Sequence, residues 1–175
     1  MTNKFDMSVK RYAGVVANDF INGIGVSVSF WCQGCKFHCK NCHNPHLWNH
    51  DDGYELPNNY IDQIIELLDK NDVHRNLSIL GGEPLEEYNI EMVYDLIKKV
   101  KEVKKDTIKV FIWTGYLYEQ IHYKDIFNYI DILVDGLFDC NLYDARLKLK
   151  GSFNQRIIDV QKTLKNNNQI VLYDL

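Results

Sequence analysis

The hydrophobic pattern of the chain predicts four strands. In "GIGVSVSFW" (23–31), apolar side chains alternate with serines, and this period of two is typical of a strand. Three short apolar runs punctuated by glycine follow, "LSILGGEP" (77–84), "TIKVFIWTG" (107–115) and "DILVDGLF" (131–138). Such runs indicate buried strands that end in tight loops. Each predicted strand therefore leads into a distinctive loop.

Helical periodicity is found between these strands. "LPNNYIDQIIELLDK" (56–70) opens with proline and asparagine and places its isoleucines and leucines on one helical face. A second helix is predicted at about 86–104, and one or two short helices within 118–130. In the tail, "RIIDV" and "QIVLYDL" are candidate edge strands.

The alternation of strands and helices predicts an α/β fold with parallel strands joined by right-handed crossovers. Parallel strands would bring "CQGCKFHCKNC", "GGEP", "WTGY" and "VDG" to one edge of the sheet, where such folds bind their ligands. A closed eight-stranded barrel needs about 250 residues, and this chain has 175. We therefore expect a single domain over residues 1–175, built as an open, partial (β/α) barrel.

Composition and charge narrow the function classes. Hydrophobic residues make up 46% of the chain and aromatic residues 13%, which is enough for one buried core. The net charge is -4, and the one dense basic cluster (98–105) fits a solvated helix face, so no nucleic-acid partner is expected. No apolar run resembles a secretory leader or a membrane helix. The prediction is a cytoplasmic protein without a membrane partner.

Four of the five cysteines lie between positions 32 and 42. In a reducing compartment, such crowding indicates metal or cluster ligands rather than disulfides. Unliganded core thiols are disfavoured because the intervening residues are polar. An electron-transfer ferredoxin is disfavoured because His43, rather than proline, follows the last cysteine of the run.

A zinc site could use all four crowded cysteines, with His38, His43 or His46 as substitute ligands. Only three residues separate the two CxxC pairs, whereas zinc modules usually leave about a dozen or more. This spacing makes closure of a tetrahedral site difficult. A non-enzymatic zinc-binding adaptor nevertheless remains an alternative.

The other arrangement uses Cys35, Cys39 and Cys42 on a four-iron cluster and leaves one iron open to a substrate. Cys32 and Cys140 are then bystanders, and Cys32 is expected to be a buried thiol. The CxxxCxxC spacing, together with "GGEP" after the next predicted strand, resembles the radical S-adenosylmethionine superfamily.

Further stretches resemble one family of glycyl-radical-enzyme activases within that superfamily. "DFINGIG", "QGCKFHCKNCHNP", "GGEPL", "WTGY", "LVDG" and "GSFNQRIID" together look like the activating proteins of oxygen-independent ribonucleotide reductases. The resemblance covers about residues 18–160. Activases of other glycyl-radical enzymes share the cysteines and "GGEP", so the target enzyme has an alternative.

The resemblance implies a set of cofactor-binding residues. Cys35, Cys39 and Cys42 would hold a 4Fe-4S cluster, and the "GGEP" loop would orient the amino group of S-adenosylmethionine. Asn41 stands where much of the superfamily has an aromatic residue, so adenine would be held by backbone groups or by aromatic side chains from elsewhere. The residues expected to contact the cofactor are Asn41, Cys42, His43, Gly81, Gly82, Glu83 and Asp135.

The resemblance also implies an activity and partners. The chain would reductively cleave S-adenosylmethionine to methionine and a 5'-deoxyadenosyl radical, which takes a hydrogen from a glycine of the large subunit of anaerobic ribonucleotide reductase. A flavodoxin-like protein would supply the electron.

Two further groups of residues are considered for a role at the site. Asn154, Gln155 and Arg156 could line the site, grip the partner, or form an ordinary surface loop. Trp113 and Tyr116 are expected to pack rather than react, because large aromatic side chains at strand ends usually fill a core.

Overall fold

The computed structural model describes residues 9–175 and contains a seven-stranded sheet. The strands are β1 (Arg11–Asp19), β2 (Ser27–Cys32), β3 (Tyr54–Glu55), β4 (Asn76–Gly81), β5 (Val110–Trp113), β6 (Ile132–Asp135) and β7 (Arg156–Asp159). Their order across the sheet is β3-β1-β2-β4-β5-β6-β7. β2, β4, β5 and β6 are parallel, whereas β1, β3 and β7 pair antiparallel with their neighbours. The sheet is open, with β3 and β7 at its edges.

Three α-helices accompany the sheet within the part of the chain that the structure describes. They are α1 (Tyr60–Asp69), α2 (Ile90–Lys104) and α3 (Val160–Lys165). Short 3-10 turns at 118–120 and 124–129 replace a full helix between β5 and β6. No helix of the described residues is long and apolar enough to cross a membrane.

Alternation along the strands sorts side chains onto two faces. Val28 and Phe30 of β2 belong to the main core, together with Ile64 of α1 and Leu96 of α2. These four side chains are at most 1% exposed. A smaller apolar cluster of β5, β6 and β7 side chains lies on the opposite face. The helices therefore cover one face of the sheet and leave part of the other for a site.

The connection from β1 to β2 folds over the polar part of that second face. The buried Asp19 carboxylate accepts hydrogen bonds from the backbone N–H groups of Ile21 and Asn22 and from Ser29 Oγ. Ser78 Oγ of β4 donates to the Asn22 carbonyl at 2.5 Å. These bonds fix the loop and leave Ile21, which is 82% exposed, at its surface.

The α/β class and the parallel pairing of the four predicted strands are confirmed, and β1, β3 and β7 add antiparallel pairs that make the whole sheet mixed. β1 was not predicted, because "RYAGVVAND" contains two adjacent valines that are both exposed and shows no period of two. "RIIDV" does form the edge strand β7, whereas "QIVLYDL" contributes one isolated bridge from Leu172 to Ile158. α3 lies between these two segments and was also not predicted.

Candidate cofactor site

The four predicted loops meet at a cavity of about 440 Å³ beyond the carboxyl ends of the parallel strands. Their expected placement at one edge of the sheet is confirmed. A further segment, residues 143–151, supplies much of the remaining wall and was not predicted. The predicted site residues that line the cavity are Cys35, Cys39, Cys42, His43, Gly81, Gly82 and Glu83. Asn41 and Asp135 are outside this lining.

The three cavity-lining cysteines are partly buried, and each sulfur accepts at least one backbone hydrogen bond. Hydrogen bonds of this kind stabilise negative charge on sulfur, and they tune clusters where sulfur binds iron. The backbone N–H donors are Phe37 and His38 for Cys35, Phe138 for Cys39 and Asn44 for Cys42.

Burial governs the protonation of these thiols. It raises the pKa of the Cys35 thiol to about 11 and also raises the pKa of the Cys39 thiol. Both groups therefore remain protonated near neutral pH when no cation is bound. Coordination requires the thiolate, so metal binding would release protons here.

Two residues with left-handed backbone conformations shape the cysteine loop, residues 32–42. His38 has φ 48° and Asn41 has φ 57°, a region that asparagine and histidine enter more readily than most residues. The Cys42 N–H donates to the Cys39 carbonyl at 3.1 Å and closes a turn that contains Asn41. The chain thus reverses between its cysteines, and the exposed Asn41 is a turn residue in this loop.

Cys32 is separate from the other three cysteines. Its side chain is 0% exposed and packs in the main core, so the prediction of a buried thiol is confirmed. Cys32 would have to leave the core to join a four-cysteine zinc site. Within residues 9–175, no three His, Cys, Asp or Glu side chains are grouped as ligands of a single metal ion. A four-iron cluster instead binds each thiolate at a different iron atom.

The two glycines of "GGEP" bring two loops into close contact. A Cβ atom on Gly82 would lie 1.9 Å from the carbonyl oxygen of Gly34, and one on Gly81 would lie 2.7 Å from that of Cys32. The Gly82 N–H donates to the backbone carbonyl of Cys32 at 2.9 Å, and the Glu83 N–H donates to the backbone carbonyl of Gly34 at 2.7 Å. The sequence suggested a close approach to a ligand, but the close approach seen here is to the cysteine loop itself.

Glu83 joins the loop after β4 to the loop after β5. Its carboxylate is buried and accepts hydrogen bonds from the Leu85 N–H at 2.9 Å, Thr114 Oγ1 at 2.7 Å and the Gly115 N–H at 2.7 Å. Burial raises its pKa to about 7, although these hydrogen bonds oppose the increase. An ionised carboxylate has about four acceptor positions, and these donors occupy three of them.

The hydrogen bond from Thr114 to Glu83 predicts a specific loss of stability. Thr114→Val removes the donor and leaves a buried carboxylate with one partner fewer, so the free energy of unfolding should fall by about 1–2 kcal/mol. Urea denaturation of the metal-free protein measures this change. Thr114→Ser keeps the hydroxyl and should lose less. A loss in Thr114→Ser as large as that in Thr114→Val would contradict this assignment, because serine keeps the hydroxyl that donates to Glu83.

Asp135 is held by protein groups and does not reach the cavity. It is 0% exposed, accepts from the Tyr118 N–H at 2.7 Å and forms an ion pair with Arg156. Arg156 also binds Glu119 at 2.8 Å, and these two carboxylates keep the pKa of the guanidinium above its usual value. Contact between Asp135 and the cofactor stays a prediction that this arrangement does not favour.

Asn154 and Gln155 connect the loop after β6 to the chain before β7. Asn154 Nδ2 donates to the Leu137 carbonyl at 2.8 Å, and Gln155 Nε2 donates to the Gly136 carbonyl at 2.9 Å. Gln155 also lines the cavity. Asn154 and Gln155 thus hold two loops of the chain together, and Gln155 also forms part of the cavity wall.

Aromatic side chains form part of the site. Trp113 packs near Phe111, with ring centroids 6.2 Å apart, and Tyr116 meets Phe37 at 4.9 Å, so the expectation that both pack is confirmed. Sequence reasoning missed a second aromatic group, in which the His43 ring lies 5.6 Å from both Phe138 and Tyr143. The sequence did place "HNP" (43–45) and "LF" (137–138) at the same edge of the sheet, which could have indicated the contact between His43 and Phe138. Tyr143 could not be placed, because its segment shows no helical or strand periodicity.

Comparison with known proteins gives matches over most of the chain. Residues 21–158 match the model of a family described as a 4Fe-4S single cluster domain. This span contains the three cavity-lining cysteines and all the loops of the cavity.

Individual relatives carry a common name. The anaerobic ribonucleoside-triphosphate reductase-activating protein of enterobacteria phage T4 is 32% identical over 149 residues, which is 84% of this chain and 92% of the relative. The protein of that name from Vibrio cholerae is 34% identical over 142 residues, or 79% and 91% of the two chains. The Escherichia coli K12 protein is 30% identical over 78% of this chain and 90% of its own.

Proposed function

Because the chain belongs to the family of anaerobic ribonucleoside-triphosphate reductase-activating proteins, which contain a 4Fe-4S single cluster domain, we propose that it activates such a reductase by reductive cleavage of S-adenosylmethionine. The product on the partner would be a glycyl radical. The observation that carries the proposal is the placement of Cys35, Cys39 and Cys42, without Cys32, around one cavity.

The donor set of the cavity fits an iron-sulfur cluster. Cysteine thiolates are the usual ligands of such clusters, and backbone N–H groups already point at each of the three sulfurs. Three ligands rather than four would leave one iron open to a small molecule. When bound, the cluster would supply the single electron that splits the sulfonium.

The walls of the cavity offer groups for S-adenosylmethionine. The backbone of Gly81 and Gly82 and the remaining acceptor position of Glu83 would orient the amino group. His43, Phe138 and Tyr143 present ring faces on which adenine could stack. The work of these residues is to bind, to orient and to exclude water.

The mouth of the cavity suits a protein substrate. Exposed apolar side chains surround it, including Ile21 at 82% and Leu137 at 43% exposure. A glycine-bearing segment of the reductase would enter here. The open sheet is compatible with the partial barrel of the radical S-adenosylmethionine superfamily. A flavodoxin-like protein is proposed as the electron donor on the basis of the sequence resemblance.

Anaerobic reconstitution followed by metal analysis tests the proposal. We expect about four irons per chain, and 5'-deoxyadenosine should form when S-adenosylmethionine and dithionite are added. A glycyl radical should then appear by electron paramagnetic resonance when the anaerobic reductase is present. One zinc per chain would indicate the adaptor, and iron without 5'-deoxyadenosine would indicate an electron carrier. Radical formation only on a different glycyl-radical enzyme would correct the target.

A further inference from the structure

A pair of side chains lies behind the cysteine loop, outside the cavity lining. Glu86 stands in the turn before α2 and is 4% exposed. Its Oε1 lies 2.5 Å from His50 Nε2, and its Oε2 accepts the backbone N–H of Lys36 at 3.3 Å. Lys36 directly follows Cys35, so this carboxylate is bonded to the backbone next to one proposed cluster ligand.

His50 reaches the other side of Cys35. A Cβ atom on Gly34 would lie 2.2 Å from His50 Cδ2, so the imidazole covers the residue that precedes Cys35. The ring also meets Tyr88 edge to face, with centroids 5.2 Å apart. Glu86 therefore restrains both neighbours of Cys35, one directly and one through His50.

We propose that the Glu86–His50 pair positions the Cys35 thiol for cluster binding. The inference rests on the proposed function and adds two positioning residues to the same site. An ionised carboxylate at this depth needs hydrogen-bond donors, so the carboxylate holds the His50 ring and the Lys36 N–H firmly in place.

The reactivity of single thiols in the metal-free protein tests this assignment. Alkylation by iodoacetamide under anaerobic conditions, followed by peptide mass spectrometry, gives a separate rate for Cys35, Cys39 and Cys42. Glu86→Ala should raise the rate at Cys35 about tenfold, which corresponds to the loss of one charge-assisted hydrogen bond. The other two rates should stay within about twofold, because their own backbone donors remain.

Two further variants show whether the pair acts as a unit. Glu86→Gln keeps an acceptor for the Lys36 N–H and should give a smaller increase at Cys35 than Glu86→Ala. His50→Gln should also accelerate Cys35 selectively, and the double variant Glu86→Gln with His50→Gln should show less than the product of the two single effects. Glu87→Gln is the matched control, since Glu87 is the exposed neighbour of Glu86, and it should change none of the three rates.

The outcomes decide the question in each case. An unchanged Cys35 rate, or an equal increase at all three thiols, overturns the positioning role. If circular dichroism shows that Glu86→Ala does not fold, the rates of Glu86→Gln and His50→Gln are used instead. A selective increase at Cys35 is again the expected result. An unchanged Cys35 rate with normal 5'-deoxyadenosine formation refutes the pair alone. A selective Cys35 effect in a chain that binds about four irons but forms no 5'-deoxyadenosine refutes the proposed function alone.

Discussion

Single substitutions of Cys35, Cys39 and Cys42 by alanine should each abolish 5'-deoxyadenosine formation. Each variant loses one of the three thiols that line the cavity, and no spare thiol lies within reach. Cys32 is 0% exposed inside the main core, and Cys140 does not line the cavity. We expect activity to fall below detection and iron content to fall well below about four per chain. Anaerobic iron analysis and chromatography of the nucleoside products measure both quantities.

Cys32→Ala is the matched control for these variants. It removes a sulfur from the core, so it should lower the free energy of unfolding by about 1 kcal/mol. Iron content and cleavage should remain close to those of the unsubstituted protein. Loss of metal in Cys32→Ala alone, with retention in Cys35→Ala, would contradict the assignment of the ligands.

Gly82→Ala should disrupt the site from a distance. The added Cβ would lie 1.9 Å from the backbone oxygen of Gly34, and backbone cannot rotate away as a side chain can. The "GGEP" loop and the cysteine loop must then separate, which breaks the hydrogen bonds from Gly82 to Cys32 and from Glu83 to Gly34. We expect the free energy of unfolding to fall by about 3 kcal/mol. Urea denaturation measures the stability, and reconstitution should give little bound iron.

Gly151→Ala is the control for this clash. A Cβ atom there would meet the Phe138 ring at 3.1 Å, and a side chain of this kind can shift. The expected loss is below about 1 kcal/mol. Equal losses in both variants would show that a general cost of adding a methyl group to a loop glycine, and not the contact between the two loops, explains the Gly82 effect.

The sequence was most informative where local pattern determines structure. Alternation and buried apolar runs identified β2, β4, β5 and β6, because strands that pack on helices must keep apolar residues on the covered face. The same reasoning brought their loops to one edge. β1 escaped detection because a strand that is half exposed on both faces has no such constraint.

The site was predictable in its residues but less so in their contacts. The cysteines and "GGEP" could be identified by spacing, yet Glu83 proved to be bound to the loop after β5 and Asp135 to Arg156. These partners are distant in sequence, and no local pattern specifies such pairs. The Glu86–His50 contact could not be predicted for the same reason, because the two residues are 36 positions apart in the sequence.

The exposed side chains at the cavity mouth affect the order in which cofactor cleavage and partner binding should occur. Ile21 and Tyr143 stand at the mouth with 82% and 49% of their surfaces exposed, so the chain alone leaves this entrance wet. Under the proposed function, a 5'-deoxyadenosyl radical formed before the reductase has docked would take its hydrogen from buffer, and that molecule of S-adenosylmethionine would be wasted. The yield of activated reductase per nucleotide consumed would therefore depend on which encounter comes first, and should rise with the concentration of the reductase.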